Sequence, residues 1–231
     1  MRLSLAECTE NIVKMQMKCN SYIYKPQKIL IMKKFICAFF LLHTTFLFSG
    51  AQNISDLDAF EKAMKPGTVL TYDVSQAGKK YQFIITIKKL GDEIAFDYKM
   101  TEPVNKTGSV LMNTNAVVKA DALFNYFVGG ESKLDKESSV FISRKIFTDV
   151  SSTSVANIKI NGASDTATLM SNTISEVNFN LNGNLVAVPG WELEGGSEIK
   201  YKIDVIESVK FPIIYSMDLG WTIQLAEVKN P

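Results

Sequence analysis

Beyond residue 51 the chain has no cysteine and no histidine: Cys8, Cys19, Cys37 and His43 are its whole complement of both. A Ser-His-Asp or Cys-His nucleophilic arrangement is therefore excluded from the last 180 residues. Zinc normally takes Cys or His ligands, which argues against a structural or catalytic zinc site there. Arginine is nearly absent, with Arg144 the only one after Arg2. From Gln52 on, 18 Lys+Arg stand against 22 Asp+Glu, a slightly acidic balance. Nucleic-acid binding needs clustered cations facing phosphates, and this composition argues against it. Neither a Walker loop nor a G-x-G-x-x-G fingerprint occurs, and no cofactor is implied. With no disulfide to staple it, the chain after residue 51 must stand by packing, and its length suffices for one domain.

The composition is that of a globular protein, 46% hydrophobic, 10% aromatic and 21% charged. Charge is unevenly spread, since Met1–Ala51 holds 7 Lys+Arg against 2 Asp+Glu. Within it, Lys33-Lys34, the apolar run Ile36–Phe48 and Ser49-Gly50-Ala51 form the three parts of a secretory signal peptide. The run is shorter than the ~20 residues a membrane-spanning helix needs. Residues 32–51 are accordingly expected to be cleaved between Ala51 and Gln52; the competing reading is an uncleaved anchor. Residues 1–31 carry no pattern of their own. They read as an upstream extension from a misassigned start or as a cytosolic tail. Cys37 lies inside the apolar run rather than after it, which does not fit a lipoprotein. The end Glu227–Pro231 has no aromatic terminal strand, so nothing points to an outer-membrane barrel. The expectation is a soluble product, periplasmic or extracellular, with no membrane span after cleavage.

Residues 52–231 read as a single β-rich domain. Ser55 and Asp58 fit a capping box, and Leu57, Phe60 and Met64 share one helical face before Pro66-Gly67. From Thr68 the period becomes two. Leu70, Tyr72 and Val74, then Tyr81, Phe83, Ile85 and Ile87, then Ile94, Phe96, Tyr98 and Met100 alternate with mostly polar residues, Ile84 being an exception. Alternation and short connections predict a three-stranded antiparallel meander over Thr68–Met100. Weaker strand signals occupy Val110–Met112, Ala116–Lys119 and Val140–Ile142. Asp121–Val128 reads as a short helix capped by Asp121 and stopped by Gly129-Gly130. Ser143 caps another, with Ile146, Phe147 and Val150 inward. Further strands are expected at Val155–Ile160, Thr166–Met170, Ile174–Leu181, Leu185–Val188, Glu198–Val205, Phe211–Met217 and Trp221–Val228. Asn182-Gly183 is the strongest hairpin signal, because a type I′ turn needs positive φ at both positions. The fold class is mainly β: a curved antiparallel sheet, half-barrel or sandwich, with two or three short helices.

Several short motifs invite chemistry. Ser197-x-x-Lys200 and Lys106-Thr107-Gly108 match penicillin-recognising serine enzymes, but in the wrong order and on a strand, where i and i+3 point apart. Asn180, Asn182 and Asn184 resemble a calcium loop without its carboxylates, and a hairpin accounts for them. Glu192 and Glu194 share a strand face and raise a carboxylate-based hydrolase. Asp165-Thr166-Ala167 fits a short bacterial O-glycosylation pattern with Thr166 as acceptor. Asn53-Ile54-Ser55 and Asn105-Lys106-Thr107 are N-x-S/T sequons. The aromatic residues Phe83, Phe96, Tyr98, Phe179, Trp191, Tyr201, Tyr215 and Trp221 pack a core or line a cavity between sheet and helix.

The Lys-Lys leader ending near Ala51-Gln52, the stretches Pro66–Tyr72, Gly91–Tyr98 and Ile142–Phe147, and the run Phe211–Trp221 form one set of motifs. In them the chain resembles exported β-rich proteins of Bacteroidetes, the TapB-like proteins. The likeness implies an envelope location and an extended antiparallel sheet, and transfers no catalytic residue. The functional expectation is non-catalytic binding of a lipid, another hydrophobic ligand or an envelope protein partner. The alternatives are surface assembly through exposed strand edges and carboxylate-based hydrolysis.

Overall fold

A computed structural model describes residues 56–160, 166–196 and 200–231. The leader, the Ala51/Gln52 junction, the Ser55 cap and the Asn53 sequon lie outside these residues. The described residues begin with a helix over 56–63 (α1) and end in strands. Between them run β1 (Val69–Gln76), β2 (Lys79–Lys89), β3 (Ile94–Met100), β4 (Thr107–Met112), helix α2 (Thr114–Lys119), β5 (Ala122–Leu123), β6 (Gly130–Leu134) and β7 (Glu137–Ser138). Helix α3 (Arg144–Thr153) follows, then β8 (Val155–Lys159), β9 (Thr166–Leu181), β10 (Asn184–Gly195), β11 (Tyr201–Ile206), β12 (Ile214–Asp218) and β13 (Thr222–Lys229). The described residues are thus mainly β with three short helices, as the alternation predicts.

All the strands join one sheet, in the order β6-β4-β3-β2-β1-β13-β12-β11-β10-β9-β8-β5-β7. An added parallel pairing, Glu227 with Asn180 and Val228 with Leu181, ties β13 to β9. It closes β9–β13 into a small five-stranded barrel, and the other strands extend from it on both sides. Side chains reinforce the seam. The Tyr215 hydroxyl donates to the Asn178 carbonyl (3.0 Å) and accepts from Gln224 Nε2 (2.7 Å). The outer strands β6 and β7 remain the edges of the sheet.

The meander stands as expected, and its buried positions are the apolar ones picked out by period two, apart from half-buried Tyr81. Asn182 (φ +52°) and Gly183 (φ +86°) form the β9–β10 turn, with Leu181 and Asn184 paired across it. Where the expected β13 alternation falters, the cause is a bulge: Thr71 faces Glu227 and Tyr72 faces Leu225, leaving Ala226 unopposed. The expected breaks at Met170 and Val188 are absent. β9 runs unbroken for 16 residues, and β10 carries Pro189-Gly190 inside it. Gly190 is needed there, since a Cβ would lie 2.9 Å from Val177 and 3.0 Å from the Val205 carbonyl oxygen.

Three local expectations are corrected. Ala116–Lys119 belongs to α2, not to a strand, because Asn113 caps the turn by accepting from the Ala116 amide (2.9 Å). Val140–Ile142 makes only isolated bridges, since Val140 adopts φ +62° and breaks the extended run. Asp121–Val128 is not a helix. The carboxylate of its supposed cap, Asp121, pairs instead with Lys159 (2.9 Å), and its carbonyl accepts from the Lys159 amide. Residues 122–123 then form β5, and 124–128 run on without regular structure. A helix made of Leu123, Phe124, Tyr126 and Phe127 would be apolar on too many sides. The non-helical chain divides them, with Leu123 buried, Phe124 and Phe127 half-buried and Tyr126 exposed.

Helix α1 is fastened at both ends of its described length. Asp56 Oδ2 accepts from the Ala187 amide of β10 (3.0 Å), and Glu61 accepts from Ser208 (2.7 Å) and Lys210 (2.8 Å). Its buried Phe60 meets Phe179 edge-on, ring centroids 5.7 Å apart. Helix α3 is capped by Ser143, as its sequence predicts, buries Ile146 and Val150, and lays Phe147 against Trp191 of β10 (4.7 Å).

Candidate functional site

The apolar cavity of the molecule follows from the strand register. Met217 of β12 faces Ile223 of β13, which faces Val74 of β1, which faces Tyr81 of β2. Two residues along, Tyr72 faces Phe83, and Phe83 faces Met100 of β3. Side chains at directly opposed positions project to the same face of a sheet, so these rows make one continuous apolar wall. The opposing wall is the 123–128 segment. It leaves β5, beside β8, and reaches β6, beside β4, so it crosses from one flank of the sheet to the other. Between wall and strap lies a cavity of about 220 Å³.

The strap is pinned by aromatic packing. The Phe127 ring sits 4.5 Å from Phe83, 5.0 Å from Tyr98 and 5.5 Å from Phe124. At its end the Gly129 amide donates to the Tyr98 hydroxyl (3.0 Å). Gly129 (φ +99°) and Gly130 (φ +79°) turn the chain into β6 in a conformation that a side chain would oppose. Tyr126 and Val128 stay outward, 57% and 72% exposed. Both line the cavity, so they stand at its mouth.

Polar groups in the lining are few. Tyr72 Oη is committed to the Ile214 carbonyl (2.9 Å), and burial pushes its ionisation far above the ordinary tyrosine range. Tyr81 Oη donates to Gln76 Oε1 (3.1 Å), and burial raises it as well. Ser139 is 1% exposed, and its hydroxyl has no hydrogen-bond partner among the described residues. Lys106 is the one charged residue of the lining, and it is exposed. No nucleophile–base pair and no cluster of metal ligands occurs in this lining.

Of the aromatic residues singled out by sequence, Phe83 and Trp221 reach the cavity. Phe96, Tyr98, Phe179, Trp191, Tyr201 and Tyr215 are buried in the core. The expectation of a cavity between sheet and helix is corrected in its cover, which is the non-helical strap. Sequence reasoning missed Phe127, Val104 and Met217 as lining residues. Phe127 was hidden by the helix reading; Met217 lay in an expected strand, but its face depends on register.

The other candidates fall elsewhere. Glu192 and Glu194 lie on the outward face of β10, opposite to Leu193. Lys202 donates to Glu192 Oε2 (2.7 Å), and that hydrogen bond raises the lysine further above its ordinary value. Asp204, directly opposite Glu192, is pushed up by burial although the Ser216 hydroxyl donates to it (2.5 Å). This is a charge ladder across neighbouring strands, with Glu192 already paired. A wide polar groove of about 780 Å³ lies beside it, with Asp73, Lys80, Glu102, Lys202 and Asp218 mixing both signs of charge. Ser197 and Asp165 lie outside the described residues. Thr166 begins β9, paired with Lys159. Thr107 begins β4, and Asn105 (φ +49°) donates from its side chain to Glu102 in the preceding turn. Asn182 and its neighbours are the β9–β10 hairpin.

No helix among the described residues is long and apolar enough to cross a membrane. No protein-family model, no curated protein and no solved structure matches the chain.

Proposed function

We propose that the protein is an exported cell-envelope protein, periplasmic or surface-located, that binds an apolar ligand non-catalytically. The observation that carries this reading is the 220 Å³ cavity between the β12-β13-β1-β2-β3 wall and the 123–128 strap. Small-molecule sites are concave, mostly apolar and furnished with a few polar groups, and this lining has that character. The export half of the reading rests on the Lys33–Ala51 leader pattern and on the likeness to TapB-like proteins.

Two features weigh against the alternatives. The outer strand β6 is five residues long and places Glu131 and Lys133 along it, which discourages edge-to-edge assembly. Apart from Tyr126 and Val128 at the cavity mouth, the exposed large apolar residues Met170, Leu185 and Val209 lie on β9, on β10 and in a loop. Hydrolysis by carboxylates requires two carboxyl groups facing across a substrate, whereas Glu192 is bound to Lys202.

The test is fluorescence titration of the full-length protein with the neutral probe N-phenyl-1-naphthylamine. Saturable enhancement, competed by octan-1-ol and abolished in a folded Val74→Phe variant that fills the cavity, is expected. Absence of saturable binding to the wild-type protein overturns the reading.

A further inference from the structure

We infer that the ligand of this cavity is a single-chain amphiphile with one anionic head, a monocarboxylate, whose head pairs with Lys106. The inference rests on the apolar-binding reading above and specifies its ligand.

The lining comprises twenty residues, and Lys106 alone among them carries a charge. A cation at the rim of an otherwise neutral, apolar recess selects for an anion at one end of the occupant and hydrocarbon at the other. Lys106 has no ion pair with any described residue. The acidic residue of the same turn, Glu102, accepts from Asn105 instead. The position of Lys106 is fixed from the backbone, since its carbonyl accepts from the Met100 amide (2.7 Å) where β3 ends. Met100 itself lines the cavity, so the cation is tethered to the wall it serves.

At about 220 Å³ the cavity is small. Drug-sized ligands need roughly 300 Å³ or more, so a bulkier or multi-chain lipid does not fit whole. Beside the mouth, Tyr126 and Val128 offer apolar cover to the first carbons after the head.

The experiment displaces bound N-phenyl-1-naphthylamine from the full-length protein with octanoate or with octan-1-ol, at low ionic strength. Pairs between exposed charges are weak, about 0.2–1 kcal/mol, which is a factor of about 1.5–5 in affinity. Octanoate is accordingly expected to lose two- to fivefold in Lys106→Gln and about tenfold in Lys106→Glu. Octan-1-ol is expected to compete equally in all three proteins, and the octanoate difference should shrink at 1 M salt. If octanoate and the alcohol respond alike to both substitutions, the anionic-head inference is overturned while apolar binding stands. If neither displaces the probe, apolar binding at this cavity fails as well.

Discussion

Gly108 sits between Tyr98 of β3 and Gly130 of β6, and it is the point where the wall of the cavity and the anchor of the strap meet. A Cβ at this position would lie 2.3 Å from the Gly130 carbonyl oxygen and 2.5 Å from the Tyr98 hydroxyl oxygen. Restoring an ordinary contact near 3.4 Å requires the neighbouring backbone to move by about 1 Å. Two effects of Gly108→Ala then compete. Replacing a strand glycine normally gains about 0.5–1 kcal/mol by restricting the unfolded chain. Forcing a methyl group into a filled site costs about 1–3 kcal/mol. Because the nearest atom is backbone rather than the end of a side chain, the clash is expected to win by about 1–2 kcal/mol. For a domain of this size each kcal/mol moves the thermal midpoint by about 2–4 °C, so a fall of about 2–8 °C is expected. The same shift separates β6 from β4 and disturbs the Gly129–Tyr98 hydrogen bond, so probe binding should weaken in parallel. Thermal and urea melts of the full-length variant measure the first effect and fluorescence titration the second. A midpoint equal to or above that of the parent protein would refute the reasoning, because the glycine would then be a matter of chain entropy alone.

Two further outcomes are expected. Tyr72→Phe removes a buried donor to the Ile214 carbonyl and should cost about 1–2 kcal/mol, read as a lower urea midpoint with unchanged slope; no change would mean that the carbonyl finds another donor. Asp204→Asn should raise stability at neutral pH, because burial holds the folded-state carboxyl above its unfolded value and penalises the charged form. That penalty is absent below the unfolded carboxylate range and grows as pH rises through it, so the variant's advantage should vanish on acidification. An advantage independent of pH would show that the ionised form is not what is penalised.

The period-two pattern over Thr68–Met100 determined the meander and its buried face, because one side chain in two must leave water whatever lies behind it. Asn182-Gly183 determined the hairpin for a reason equally local, the positive φ of both residues. Ser143 likewise marked the start of α3, since its hydroxyl accepts from the Ile146 amide three residues on. The missing cysteine and histidine keep Ser-His-Asp and Cys-His arrangements out of the described residues, independently of how they fold. At Asp121–Val128 the same kind of local signal points the wrong way. Its cap, its apolar residues and its terminal glycines suit a helix, and only the competing partners Lys159, Ser138, Phe83 and Tyr98 draw it out into a strap. The parallel β9–β13 seam joins Asn180 to Glu227 across nearly fifty residues, beyond the reach of any local pattern. Local periodicity fixes which face of a strand is dry. Which strand lies across from it, and what space remains between them, depend on long-range pairing, and the cavity with Lys106 at its rim is a product of that pairing.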